Sequence, residues 1–131
     1  MLRLRSDLVA LCEAALDGRL DTATAEWESR PALGVVLAAG GYPDACRSGD
    51  VIAGLEEAGS ADCKVFHAGT KQQDGNTVTS GGRVLCVCAL GDDIATAQQH
   101  AYACIKHIDW PDMYYRTDIG YRAVARETES R

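Results

Sequence analysis

Two runs of apolar, β-prone residues constrain the fold of this chain more than any other feature. Residues 33–39 read Leu-Gly-Val-Val-Leu-Ala-Ala, and residues 83–90 read Arg-Val-Leu-Cys-Val-Cys-Ala-Leu. In the first run, the residues on both faces of a strand would be apolar, which predicts a strand buried on both faces. The second predicts another strong strand. A chain of 131 residues is long enough for one domain that buries about two-thirds of its unfolded surface.

Three further stretches carry apolar residues at the spacing of a helix. They cover residues 8–16, 94–108 and 117–126, and Gly18 ends the first of them. Asp7 favours the first turn of the opening helix. The residues expected to cap the amino ends are, in chain order, Ser6, Asp92 or Asp93, and Thr117 or Asp118.

The segment between the first and second helices predicts a sheet. Residues 63–68 are a strand candidate, residues 69–75 resemble a hairpin connection, and residues 77–79 form a short returning strand. Residues 40–50 are expected to be irregular. Strands grouped between an opening and a closing helix predict an α+β domain with a mostly antiparallel sheet flanked by helices.

Composition excludes several classes of partner. The chain has 13 Lys and Arg against 19 Asp and Glu, a net charge of −6, and no cluster of basic residues. We therefore expect no nucleic-acid partner and no membrane partner, because both recruit a basic face. The amino end lacks the apolar segment of a secretory signal, and the six cysteines lie mostly in apolar runs. A reduced, cytoplasmic protein with packed, free thiols is the prediction.

The cysteines and histidines do not suggest a metal centre or a nucleophile. Cys86 and Cys88 are two apart on a predicted strand, so both thiols point to one face. A structural zinc site needs four ligands, usually with Cys-x-x-Cys spacing, which this sequence lacks. Cys63 and His67 are four apart, about 13 Å along a strand, so the histidine is too distant to activate the thiol.

The closing segment contains the clearest candidate for ligand binding. Arg116, Asp118, Arg122 and Arg126 lie close together around Gly120. A pair of arginines near the start of a helix can anchor a phosphate or a carboxylate. The same residues can also form a solvated face with an Asp118–Arg122 ion pair. The residues alone leave both interpretations open.

Six phrases in a fixed order carry a family resemblance. They are Arg-Leu-Arg-Ser-Asp-Leu (3–8), Gly-Val-Val-Leu-Ala-Ala-Gly-Gly-Tyr-Pro (34–43), Gly-Asp-Val-Ile (49–52), Lys-Val-Phe-His-Ala-Gly-Thr (64–70), Gly-Gly-Arg-Val-Leu (81–85) and Asp-Ile-Gly-Tyr-Arg-Ala (118–123). Together they resemble the carboxy-terminal part of phosphoribosylamine–glycine ligase, also called glycinamide ribonucleotide synthetase, of the ATP-grasp superfamily. The chain departs from the family pattern at Asp44 and Cys46, and it has Cys88 where the family commonly has threonine.

The resemblance implies a fragment of a larger purine-biosynthesis ligase. Residues 1–30 would be the helix and linker that close the ATP-grasp region, and residues 31–131 the carboxy-terminal domain; Met1 would be an internal residue. The family joins glycine to 5-phosphoribosylamine with ATP and Mg²⁺ through a glycyl phosphate. The groups that hold ATP and Mg²⁺ lie upstream, so no cofactor, metal ligand or catalytic residue is expected here. The expected partners are the missing amino-terminal and ATP-grasp domains.

The resemblance also nominates residues for one wall of the active site. In ATP-grasp relatives the carboxy-terminal domain walls one side of the site and helps to hold the second substrate. The substrate-binding candidates are Arg116, Asp118, Gly120, Arg122, Gly41, Tyr42, Pro43, His67, Ala68, Gly69 and Thr70. Alone, the chain is expected to be inactive and to self-associate through the apolar face of its opening helix. The alternative is a stand-alone, non-catalytic binding or interaction module derived from the same domain.

Overall fold

Residues 1–129, the part that the computed structural model describes, form an α+β fold with antiparallel sheets. The helices are α1 (Leu8–Leu16), α2 (Ile94–Ile105) and α3 (Tyr121–Glu129), with a short 3₁₀ turn at Leu20–Thr22. The strands are β1 (Ala32–Ala38), β2 (Cys63–His67), β3 (Thr70–Gln73), β4 (Asn76–Thr79) and β5 (Arg83–Leu90). The predicted fold class is confirmed.

The larger sheet is built around β5, which lies between β1 and β2 and is antiparallel to both. Val35, Leu85 and Val87 are fully shielded from solvent on the face that α2 covers. Ile105 of α2 is 1% exposed in the same core. Burial of each such side chain stabilises the fold by about 1.5–3 kcal/mol. The hydrophobic core therefore fixes α2 against the sheet, and α2 in turn positions the closing segment.

The other face of this sheet is open at its centre. Val36 of β1 is 43% exposed, and its neighbours Cys86 and Cys88 on β5 are half-buried. The prediction that residues 33–39 are buried on both faces is therefore wrong for this face. The reason is that α2 covers one side of the three strands, while the apolar composition of β1 does not by itself bring a second layer over the other.

The small sheet corrects the expected hairpin. Residues 70–73 form β3, which pairs with β4 in antiparallel register, so most of the expected connection is itself a strand. The turn consists of Asp74 and Gly75, with φ of 50° and 79°. Asp-Gly is typical of a two-residue type I′ turn, whose twist matches that of the strands. The residues of β3 are polar, so hydrophobic alternation in the sequence does not identify this strand.

Two of the expected helix caps are also wrong. Asp7, and not Ser6, caps α1 by accepting hydrogen bonds from the backbone N–H groups of Val9 and Ala10. Ser6 instead accepts a hydrogen bond from the N–H of Glu26. The third helix begins at Tyr121, after the positions of Thr117 and Asp118. Asp93 caps α2, which is one of the two expected choices.

Residues 1–30 bury little apolar surface. Leu8 is 45% exposed and Leu16 is 88% exposed, and Ala14 is the buried residue of α1. An isolated bridge between Leu4 and Trp27 closes the segment on itself. This exposure agrees with the expected apolar face on the opening helix. Within residues 1–129, no helix has both the length and the apolar character that crossing a bilayer requires.

Candidate functional site

The closing segment forms an open cleft of about 420 Å³ at the amino end of α3. The residues that line it are Arg116, Asp118, Ile119, Gly120, Tyr121, Arg122, Ala123 and Arg126. The structure thus brings together the four candidates that the sequence places in this segment. Two or more guanidinium groups on one cleft create a site that can bind an anion.

Arg116 and Asp118 form a two-point ion pair. The Arg116 Nε and Nη2 atoms donate to the two carboxylate oxygens of Asp118 at 2.9 and 2.7 Å. This hydrogen bonding raises the pKa of Arg116 and lowers the pKa of Asp118. The Asp118–Arg122 ion pair, one of the two interpretations left open by the sequence, does not form, because α3 begins only at Tyr121 and Asp118 therefore lies outside the helix.

Arg122 retains donors for a ligand. Its Nε donates to the hydroxyl of Tyr121 at 2.9 Å, and its guanidinium carbon lies 5.5 Å from the centre of the Tyr121 ring. Among residues 1–129, no carboxylate lies within ion-pair distance of this guanidinium. Within the described part of the chain, Arg122 is therefore an orientated cation without a compensating carboxylate, whereas Arg116 is neutralised by Asp118.

The helix α2 holds the backbone of the cleft. The Tyr102 hydroxyl donates to the Arg116 carbonyl at 2.7 Å and accepts from the Ile119 N–H at 3.1 Å. The Gln98 amide donates to the Ile119 carbonyl at 2.7 Å. These contacts fix the segment on either side of Asp118. Sequence analysis missed Tyr102 and Gln98, since nothing in the pattern of α2 distinguishes them from solvated helix positions.

A second cleft, of about 590 Å³, contains the other group of candidates. It is lined by Tyr42, Pro43, Cys46, Ala68, Gly82 and Arg83. The structure therefore brings the 41–43 turn, whose Tyr42–Pro43 peptide is cis, next to the turn that follows β2. Sequence analysis missed Arg83 as a lining residue, although its phrase Gly-Gly-Arg follows a turn and precedes a buried strand. The residues of this cleft and of the Arg122 cleft do not overlap.

His67, Gly69 and Thr70 stabilise the turn instead of lining either cleft. The His67 Nδ1 atom lies 3.1 Å from the Thr70 hydroxyl, and the Gly69 N–H donates to the Arg83 carbonyl at 2.8 Å. A side chain at Gly69 would meet the backbone of Gly81. Gly41 likewise lies against the backbone of Ala45, so its place in the 41–43 turn is set by close packing.

A network beside the 41–43 turn joins residues that are distant in sequence. Arg47 donates to one carboxylate oxygen of Asp50 at 2.8 Å and to Asp112 at 3.2 Å. The other oxygen of Asp50 is buried without a hydrogen-bond partner among residues 1–129. No sequence signal connects Arg47 with Asp112, which is 65 positions away. The network ties the irregular 40–50 segment to the loop after α2.

A third cavity, of about 380 Å³, lies between α2 and the loop before β2. His100 there lies 2.8 Å from the Leu90 carbonyl through Nδ1, and the Cys104 thiol donates to the Ala58 carbonyl. Burial, with a hydrogen bond to Cys104, raises the pKa of Cys63 to about 12. A thiol with so high a pKa is a poor nucleophile at neutral pH. Cys63 is thus a core residue.

Comparison with known proteins gives one consistent result. Residues 32–122 match the family model described as phosphoribosylglycinamide synthetase, C domain. The chain is 58% identical to phosphoribosylamine–glycine ligase of Allochromatium vinosum over 127 residues, and 59% identical to that of Escherichia coli over 128 residues. Each match covers 97% of this chain and 30% of the relative, so the chain spans about a third of the length of these proteins.

The fold agrees with a solved structure. The crystal structure of phosphoribosylamine–glycine ligase from Thermotoga maritima superimposes with a TM-score of 0.66 at 34% identity. That match covers 83% of this chain and 27% of the crystallised chain. Since the family model covers most of the folded residues and the relatives align over nearly the whole length, this chain belongs to the phosphoribosylglycinamide synthetase C-domain family.

Proposed function

We propose that this chain is the carboxy-terminal domain of an ATP-dependent phosphoribosylamine–glycine ligase, which joins glycine to 5-phosphoribosylamine in purine biosynthesis. The identity of 54–59% to proteins of that name, at 30% coverage of their length, supports this assignment. Residues 1–30 would close the ATP-grasp region and residues 31–131 would form the domain proper. The partners are then the remaining domains of the same enzyme.

The cleft around Arg122 is the proposed contact with substrate. The reaction proceeds through a glycyl phosphate and uses a phosphorylated sugar, so its site must hold several negative charges. Arg122 is an orientated guanidinium that no carboxylate neutralises among residues 1–129, and this observation carries the proposal. In a closed, water-poor site such a group makes charge-assisted hydrogen bonds to a phosphate. Asp118 binds Arg116, which lines the same cleft as Arg122. Gly120, which has no side chain, allows this part of the cleft to lie close to Leu33 of β1.

The described residues do not fit a Mg²⁺ site. Within residues 1–129, no group of three or more His, Cys, Asp or Glu side chains converges where a metal ion could be held. The carboxylate nearest the cleft, Asp118, is engaged by Arg116. We therefore assign no step involving Mg²⁺ or the nucleotide to these residues. Their contribution is to bind and orient a substrate anion and to exclude water.

The test is reconstitution. The 131-residue chain is combined, in one polypeptide, with the amino-terminal and ATP-grasp portion of a relative such as the Escherichia coli ligase. We expect ligase activity from the combined protein and none from the chain alone. Arg122→Ala should then lower kcat/KM by about two to three orders of magnitude, because loss of one donor to a developing charge costs about 2.7–4 kcal/mol.

Lys106→Ala is the matched control. Lys106 is an exposed cation at the carboxyl end of α2 and lines neither cleft. Its removal should leave kcat and KM unchanged. Near-normal kinetics of Arg122→Ala for all three substrates would reduce Arg122 to a surface charge. Ligase turnover by the isolated chain would contradict the proposed division of labour, because the ATP site would then lie within these residues.

A further inference from the structure

Two thiols lie side by side on the open face of the larger sheet. The Sγ atoms of Cys86 and Cys88 are 3.6 Å apart, and both residues are half-buried. They alternate along β5 with Val87, which is fully buried, so they occupy the face opposite the core. Gly34 of β1 lies beneath them: a Cβ atom there would come within 3.0 and 3.3 Å of the two sulfurs. The missing side chain at Gly34 leaves the pair uncovered.

The sulfur separation fits a single bridging atom. Two bonds of about 2.3 Å, the length of a zinc–thiolate bond, place their sulfur ends about 3.5 Å apart when they meet at about 100°. A linear two-coordinate ion with the same bond lengths would need sulfurs about 4.6 Å apart. The observed 3.6 Å therefore suits a bent, pyramidal centre. A tetrahedral zinc site would need further ligands, and residues 1–129 contain no group of three that could provide one.

We propose that Cys86 and Cys88 form a dithiol site for trivalent arsenicals, a binding property separate from the ligase function. An organic arsenic(III) oxide reacts with both thiols: two S–H bonds and the arsenic–oxygen double bond break, two arsenic–sulfur bonds form, and one water molecule leaves. Arsenic remains trivalent, so the step requires no oxidant or reductant. The second bond forms within one strand, which makes the adduct resist competition by monothiols.

The surroundings favour this reaction. The Cys86 and Cys88 thiols share a hydrogen bond, which lowers the pKa of Cys86 to about 7 and raises the pKa of Cys88. Part of Cys86 is therefore thiolate at neutral pH, the form that attacks an electrophile. Lys64 of β2 pairs with Cys88 in the sheet, and its ammonium lies 5.9 Å from the centre of the Phe66 ring. On β1 the residue paired with Cys88 is Gly34, which has no side chain, and the residue paired with Cys86 is Val36; on β2 the residue paired with Cys86 is Phe66.

Strand geometry disfavours a disulfide at the same place. Residues two apart on a strand have Cα atoms about 6.6–6.8 Å apart, at the upper end of the range found in disulfides. A disulfide would require the sulfurs to approach to about 2.05 Å. An atom that bridges the two sulfurs does not require them to move closer, because it fits between them at the observed separation of 3.6 Å. We therefore expect the reduced pair to be the stable form of the site.

Phenylarsine oxide is the probe. The 131-residue chain, freshly reduced, is mixed with one equivalent and then challenged with excess glutathione. Intact mass under native conditions should show one arsenical per chain that glutathione leaves in place and that 2,3-dimercaptopropanol removes. Cys88→Thr and Cys86→Ser should each lower the resistance to glutathione by about a hundredfold, since chelation is lost. Peptide mapping of the wild-type adduct should locate arsenic on residues 84–90.

Cys12→Ser is the matched control, because Cys12 is an exposed thiol that does not belong to the Cys86–Cys88 pair. It should retain the full, glutathione-resistant adduct. Removal of the wild-type adduct by glutathione would overturn the proposal. An undiminished adduct in Cys88→Thr would also overturn it, because the arsenical would then be held by thiols other than this pair. Circular dichroism of each variant verifies that the fold is intact.

Discussion

Replacing Gly120 with alanine tests how the Arg122 cleft is held against the sheet. Gly120 has φ of 86°, and a Cβ atom there would collide with the Cδ1 atom of Leu33. Leu33 is 7% exposed and packs in the core, so its side chain has little freedom to move aside. The positive φ costs about 1–2 kcal/mol for a residue with a Cβ atom. Crowding in a packed core costs a further 1–3 kcal/mol or so.

Gly75→Ala separates these two contributions. Gly75 has φ of 79°, and a Cβ atom there would meet nothing within 4 Å. Its replacement should cost only the backbone part, about 1–2 kcal/mol. Both variants gain the same stabilisation from a less flexible unfolded chain, about 0.4–1 kcal/mol, and this cancels in the comparison.

The assay is urea unfolding followed by circular dichroism. Gly120→Ala should lose about 1–3 kcal/mol more than Gly75→Ala, the part due to crowding. At roughly 4 °C per kcal/mol for a chain of this length, the difference should also appear in Tm. If Gly120→Ala costs no more than Gly75→Ala, Leu33 gives way freely, and the proposed bracing of the cleft by β1 is wrong.

Four further predictions concern other contacts and surfaces of the chain. Tyr102→Phe should lower the free energy of unfolding by about 1–2 kcal/mol, measured in urea, because two hydrogen bonds to the cleft backbone are lost; no loss would show that the hydroxyl is dispensable. Asp7→Ala should lower it by about 1 kcal/mol through loss of a helix cap, whereas Asp7→Asn should keep most of the stability. Alkylation of Cys86 should rise with pH around a midpoint near 7, and Cys88→Ala should move the midpoint upward because the thiolate loses its donor; an unmoved midpoint in a mass-resolved rate profile would contradict this. Sedimentation at rising concentration should reveal self-association through residues 1–30, and a monomer throughout would refute it.

Elements with a strong local pattern were predictable from the sequence. The strand at residues 83–90 has the predicted bounds, and Asp93 caps α2 as one of the two expected residues. Apolar periodicity determines these elements because each must bury its own apolar residues wherever it lies in the fold. The antiparallel α+β class follows from their order. The β3 strand was missed since its residues are polar and its pairing depends on the Asp74–Gly75 turn.

The sequence allowed us to predict which residues line the candidate site, but not which of them contact each other. The family resemblance nominates both Arg116 and Arg122, and the structure places them on one cleft. Asp118 pairs with Arg116 and not with Arg122, because α3 begins only at Tyr121 and Asp118 precedes it. His67 and Thr70, nominated with them, contact each other in a turn outside the two clefts.

The sequence by itself determined β1, β2, β4, β5 and the three helices to within a few residues, because periodicity and turn chemistry act over a few residues. Only the tertiary structure decided that Tyr102 holds the cleft, that Arg47 reaches Asp112, and that one face of the larger sheet stays open above Gly34. Each of these depends on packing between segments far apart in the chain. Such contacts arise when the core forms and fixes the direction of every attached loop, and no local pattern encodes them.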